Sequence, residues 1–150
     1  MSKPIISAKN IKKSFGQTHA LRGVSLDVEA GEVLAIMGPS GSGKSTLLHS
    51  LAAITSVDSG EIDFDGRRID KLGDDKRSML RRTSFGFVFQ FGQLVPELTA
   101  LDNVALPLLL NGIKRKEAYQ QAKTWLNKVE LGNKADSMLG ELSGGQMQRV

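Results

Sequence analysis

The chain has 150 residues, 24% of them charged, and a formal net charge of +4. It contains no cysteine, which excludes disulfides and cysteine-ligated metals and is compatible with a reducing compartment. No apolar run approaches the roughly 18 residues that cross a bilayer, and Met1-Ser2-Lys3-Pro4 lacks the apolar centre of a signal peptide. A soluble or peripheral chain is expected.

In chain order, Glu32-Val33-Leu34-Ala35-Ile36-Met37 is a short apolar run with the character of a buried parallel strand. It leads into Gly38-Pro39-Ser40-Gly41-Ser42-Gly43-Lys44-Ser45-Thr46, which fits the G-x-x-x-x-G-K-[ST] phosphate loop. Gly38, Gly41 and Gly43 permit backbone angles and approaches that a Cβ would block, so successive N–H groups can converge on phosphate oxygens. Lys44 adds a compact positive charge for the β- and γ-phosphates, and the Ser45 hydroxyl can ligate Mg²⁺. Thr46 to Ala53 has helical character, so a positive dipole end near Lys44 faces the same phosphates. The competing reading is an accidental glycine-rich turn. Such a match arises in roughly one chain of this length in two hundred, and the strand and helix at its flanks favour the phosphate loop.

Further along, Gly60-Glu61-Ile62-Asp63-Phe64-Asp65-Gly66 reads as a strand with Asp63 and Asp65 on its solvent face. Phe85-Gly86-Phe87-Val88-Phe89-Gln90 alternates as a second strand. The basic runs Lys76-Arg77, Arg81-Arg82 and Lys114-Arg115-Lys116 suit solvated helix faces, with phosphate or anionic lipid as the alternative partner. They lack the interleaved aromatics of a nucleic-acid reader, and no nucleic-acid partner is expected.

From about Phe91 to Leu142 the pattern turns helical. Thr99-Ala100-Leu101-Asp102 is a capping-box pattern, and Asn111-Gly112 closes the helix it opens. A second helix from about Arg115 sets Ala118, Ala122, Trp125, Leu126 and Val129 on one face and ends at Gly132; Trp125 is expected in the core. Finally Leu142-Ser143-Gly144-Gly145-Gln146 precedes a run of helical character, with Ser143 placed as N-cap and the glycines leaving the first N–H groups uncovered.

That pentapeptide, together with the phosphate loop upstream, resembles the ATP-binding cassette (ABC) family, whose signature motif it matches. The resemblance runs from about Ile5 to Val150. It implies an α/β fold, a P-loop NTPase-like mixed sheet with an antiparallel β subdomain and an inserted helical subdomain. Residues 1–90 would carry the β subdomain and phosphate-loop core, 91–142 the helical subdomain and 143–150 the start of the signature helix. ATP and Mg²⁺ are the implied cofactors. The phosphate loop of one domain and the Ser143, Gly144, Gly145 and Gln146 turn of a homo- or heterodimeric partner would enclose one nucleotide.

The resemblance also assigns residues that composition does not. Phe15, in Lys13-Ser14-Phe15-Gly16, falls where the family stacks an aromatic, usually Tyr, on adenine; Phe keeps the π-face. Gln90 matches the glutamine that contacts Mg²⁺ or the attacking water, so Gln90 and Lys44 are the catalytic candidates and Ser45 and Gln90 the metal ligands. The segment Leu94 to Leu108 looks like that of exporters of the macrolide-efflux and lipoprotein-release type. The implied function is the ATP-driving, peripheral subunit on the cytoplasmic face of a membrane export system, with residues 91–97 facing a transmembrane permease.

In the family, an Asp for Mg²⁺, a Glu that polarises water and a switch His follow the signature. His19 and His49 precede it, and neither can be the switch. The 150-residue chain is therefore expected to hydrolyse ATP negligibly by itself, and strand 32–37 to lack neighbours and expose apolar surface. Two other classes are a soluble ABC ATPase acting on nucleic acid or ribosomes and a non-hydrolytic nucleotide-binding fragment. The compact insert between Gln90 and Ser143 disfavours the coiled-coil members that act on chromosomes.

Overall fold

The computed structural model describes residues 3–89 and 93–150. The chain forms two compact units, Met1–Phe85 and Gly86–Val150.

The first unit is built on an antiparallel sheet. Strands β1 (Ile6–Phe15) and β2 (Thr18–Val28) form a hairpin with Phe15 opposite Thr18. Strand β3 (Ser59–Phe64) pairs antiparallel with the other edge of β1, and β4 (Arg67–Arg68) pairs with β3, giving the order β2-β1-β3-β4. Asp65 and Gly66 both take left-handed φ, the geometry of a two-residue hairpin turn whose twist suits the strands it joins. One face of the sheet supplies Ala8, Ile11, Leu21 and Ile62 to the core. Leu47 and Leu51 of helix α1 (Lys44–Leu51) pack on them, with Ile69. Apolar residues at both i and i+4 of α1 account for its seating there.

Helix α2 (Asp74–Ser84) buries no residue, as a solvated basic helix should. Its partly buried Leu80 packs against the core of this unit, and Arg81 fastens the helix further. Arg81 donates from Nη1 to the Ala53 carbonyl at 2.6 Å, just past the C-terminal end of α1, where a cation also meets the negative end of the helix dipole.

Two expected strands differ from expectation. Residues 32–37 join no strand among the described residues, and Val33 and Met37 are 95% and 88% exposed although Ile36 packs against the core. Residues 85–89 likewise are not assigned to a strand, although Phe85, Phe87 and Phe89 remain more sheltered than Gly86 and Val88. The reason is the same for both. A buried parallel strand exists only through hydrogen-bonded neighbours, and the sheet among the described residues is wholly antiparallel. The exposed apolar surface foreseen at 32–37 is present.

The second unit is helical. Helices α3 (Ala100–Leu110) and α4 (Arg115–Lys128) form a hairpin over a core of Ala100, Leu101, Ala105, Ala122 and Leu126, closed by Leu131, Ala135, Leu139 and Leu142. The alanines let the backbones approach closely. Thr99 and Asp102 make the expected capping box, and Gly112, at positive φ, closes α3 through its N–H to the Leu109 carbonyl. Trp125 is not core: it is 55% exposed, with the Lys128 ammonium 4.2 Å from its ring centre. At about 100° per residue, Trp125 and Leu126 fall on opposite sides of Ala122, and the hairpin turns the Leu126 side inward.

Candidate functional site

The glycine loop runs from Gly38 to Gly43 and passes directly into α1. Gly43 is the N-cap residue of α1, with φ 87°. A Cβ there would collide with the Ala20 carbonyl oxygen and stand 3.2 Å from Leu21 Cδ2. The loop's exit is thus pressed against β2, and only glycine satisfies both the left-handed angle and the contact. Because Gly43 has no side chain, α1 has no side-chain cap. The first-turn N–H groups of Lys44, Ser45 and Thr46 are therefore left for a ligand, at the positive end of the helix dipole.

Lys44 closes the loop into a ring. Its Nζ donates to the carbonyls of Gly38 at 2.9 Å and Pro39 at 2.7 Å, while the Ser42 amide donates to Pro39 O at 3.3 Å. Two neutral carbonyls are a modest partner for an ammonium, and a phosphate oxygen would form the stronger, charge-assisted bond. The opposite end of α1 is secured by Ser50, whose hydroxyl donates to Thr46 O at 2.8 Å in the buried face.

Phe15 ends β1 and is 54% exposed, with the Lys13 ammonium over its ring at 5.5 Å from the centre. Lys13 and Asp58 hold that end of the strand. Asp58 accepts from Lys13 Nζ at 2.9 Å and from the Ser14 amide at 2.6 Å. The Lys13 hydrogen bond, then that of Ser14, holds the Asp58 carboxyl below the usual carboxylate range. Asp58 was not among the sequence candidates, and a lone loop aspartate offers no signal before the strand it braces is located. The hairpin carrying Phe15 is the one whose Ala20 contacts Gly43, so the proposed adenine and phosphate sites share one rigid support.

The signature turn lies in the other unit. Ser143 caps α5, the single turn Gly144–Met147: its Oγ accepts from the Gln146 amide at 3.3 Å, and the Gln146 Oε1 accepts from the Ser143 amide at 2.8 Å. Buried Leu142 anchors the turn in the helical core, and Arg149 donates to Val129 O at 2.9 Å beyond it. Ser143, Gly144 and Gly145 are exposed. Gln90 lies outside the described residues.

The donor set fits a Mg–nucleotide. Among the described residues no three His, Asp or Glu side chains gather to hold a metal. Mg²⁺ at nucleotide sites commonly takes one or two protein oxygens and completes its shell from phosphates and water. The exposed Ser45 hydroxyl on the first turn of α1 can be such a ligand.

An uncapped helix fed by a glycine ring, with a serine-capped glycine turn later in the chain, belongs to the class of nucleotide-binding cassettes. The ABC transporter family model matches residues 21–150. The lipoprotein-releasing system ATP-binding protein LolD of Saccharophagus degradans is 44% identical over 154 residues, covering all of this chain and 68% of the relative. LolD of Porphyromonas gingivalis is 44% identical over 146 residues, covering 97% and 67%. Among solved structures, the dimeric ATP-binding cassette MJ0796 in a post-hydrolysis state with ADP and Pi superposes with TM-score 0.86 at 39% identity, covering 96% of this chain and 66% of that one. The chain belongs to the ABC transporter family, as a nucleotide-binding domain of the lipoprotein-release type. It spans about two thirds of the length of these relatives.

Proposed function

We propose that the chain supplies the ATP-gripping half-sites of a transporter motor subunit that works at the cytoplasmic face of a membrane and couples ATP binding and hydrolysis by the whole subunit to export through a transmembrane permease. The observation that carries this is the ring of Gly38, Pro39 and Lys44 at the uncapped start of α1. When nucleotide binds, Lys44 exchanges its two carbonyl partners for phosphate oxygens, and the first-turn amides of α1 bind the same anion. Ser45 would hold Mg²⁺, which when bound would neutralise phosphate charge. Phe15 stacks on the adenine and Gln90 orients water or metal. The Ser143 turn of a second subunit covers the γ-phosphate, so binding and dimerisation are one event. That relatives carry the name of a lipoprotein-releasing system, and that MJ0796 cassettes are dimeric with ADP and Pi, supports export and the dimer.

Calorimetric titration of the complete subunit with Mg-ATP tests the grip. Lys44→Ala removes charge-assisted bonds worth roughly 2–3 kcal/mol, so Kd should rise about 30- to 150-fold. Affinity unchanged within about twofold would refute the site, since a tenfold change corresponds to only ~1.4 kcal/mol.

A further inference from the structure

We propose that Asn103 is a positioning residue that ties the segment after Gln90 to the backbone leading into the Ser143 turn, making the signature responsive to whatever docks on residues 94–97. This rests on the reading above, in which that segment meets the permease, and deepens it by naming the linkage. Asn103 is half-buried near the start of α3, and its carboxamide holds four backbone groups. Its Oδ1 accepts from the Val95 amide at 2.8 Å. Its Nδ2 donates toward the carbonyls of Val95 at 3.2 Å, Leu98 at 3.3 Å and Thr99 at 2.9 Å. Only one orientation of the amide fits, with oxygen facing the N–H and nitrogen facing the carbonyls. One side chain thereby reaches both backbone groups of Val95: it is the acceptor for the amide, and it shares the carbonyl with the Leu98 amide, which donates to it at 3.1 Å.

The same short stretch is stitched on its other side to the approach to the signature. Thr99 bridges to Met138, the Ala100 amide donates to Ser137 O at 3.0 Å, and the Leu101 amide donates to Ala135 O at 2.8 Å. From Met138 a single tight turn, Leu139–Glu141, reaches buried Leu142 and Ser143. Between the two ends lies a cleft of about 490 Å³ lined by Leu94, Pro96, Leu139, Leu142, Gly144 and Met147. Backbone hydrogen bonds thus run from the exposed Val95 segment to the signature turn, and Asn103 supplies the side-chain link at the outer end. Without it, residues 95–98 keep few contacts and open locally, while the helical core is untouched.

The test uses the complete subunit assembled with the transmembrane permease that copurifies with it, comparing wild type with Asn103→Leu and Asn103→Asp. Leu is near-isosteric and makes none of the bonds; Asp keeps the acceptor and turns a charge toward three carbonyls. In Asn103→Leu, hydrogen exchange at the Val95 and Leu98 amides should quicken by at least about tenfold while the amides of Ala105, Ala122 and Leu126 keep their protection. Basal turnover and ATP affinity should stay within about twofold, while the permease-stimulated increment falls at least about fivefold, a coupling loss of the size carried by such linkages.

Unchanged exchange at Val95 overturns the proposal, and so does a basal loss equal to the stimulated one, which marks a merely structural residue. Should the Leu variant fail to fold, Asn103→Ser is read by the same two measurements. If wild-type turnover ignores the permease, the functional reading fails and the coupling role with it, whereas the Val95 exchange still decides whether Asn103 holds the segment.

Discussion

Gly43 shows how one residue type is fixed by two constraints at once. Its φ of 87° disfavours any side chain, and the Ala20 carbonyl leaves no room for one. Gly43→Ala must either move the hairpin or unwind the start of α1. We expect a stability loss of about 2–4 kcal/mol, from backbone strain together with overpacking. A chemical denaturation curve against wild type measures it, and a stability change below ~0.5 kcal/mol would show that the loop does not rest on β2. Asp58 acts at the same scale by bracing the strand end that carries Phe15. That brace is electrostatic in part and weakens as the carboxyl is protonated.

At the scale of elements, the caps make separable predictions. The Thr99 hydroxyl accepts from the Asp102 amide at 3.1 Å, and its loss in Thr99→Ala should destabilise the helical unit by about 1 kcal/mol. Asp102 also accepts from the hydroxyls of Thr99 and Tyr119, and these, Thr99 first, hold its carboxyl below the usual carboxylate range. The folded pKa therefore lies below the unfolded one. Stability from Asp102 is present above the ordinary carboxylate pKa and is lost as pH falls through the folded value. Acid titration of unfolding free energy should show Asp102→Asn flattening the acid limb. A variant as acid-sensitive as wild type would contradict the assignment. Leu126→Ala, at the buried centre of α4, should cost about 2–5 kcal/mol by the same measurement.

These elements differ in how legible they were beforehand, for physical reasons. The capping boxes at Thr99 and Ser143, the start of α1 and the Gly112 stop are made by residues a few positions apart, so the local string contains the whole interaction. Residues 32–37 and 85–89 carry strand-like patterns, but a strand is completed by distant partners, and pattern alone could not say that neither would be a strand here. Trp125 was misplaced because its angular position sits at the edge of the apolar arc, where the packing partner decides burial. Asn103 escaped notice because its partners are backbone groups, which every residue possesses and no motif marks, and Arg81, expected only on a solvated basic face, takes the Ala53 carbonyl in the same way. Asp58 joins the Lys13 ammonium and the Ser14 amide from far along the chain, a link that no local string shows. In the candidate site the reverse holds. Phosphate loops are written in local glycine and lysine spacing, so Gly38 to Thr46 and Ser143 to Gln146 stood out as candidates from the string, while the ring that Lys44 makes did not.

For the whole molecule, the account rests on composite sites: the Lys44 ring of one subunit covered by the Ser143 turn of another. Mixing two defective complete subunits, Lys44→Ala and Ser143→Arg, tests this directly. Each variant alone carries the same defect in both of its sites. In a mixed dimer both defects fall in one site and the second site is wild type throughout. Retention of radiolabelled Mg-ATP on rapid gel filtration should be near background for either variant alone. In the mixture it should recover to roughly a quarter of wild type, the share expected when about half the dimers are mixed and each keeps one intact site. A mixture that retains no more nucleotide than its separate components would show that Lys44 and Ser143 do not meet across a subunit boundary, and would contradict the account.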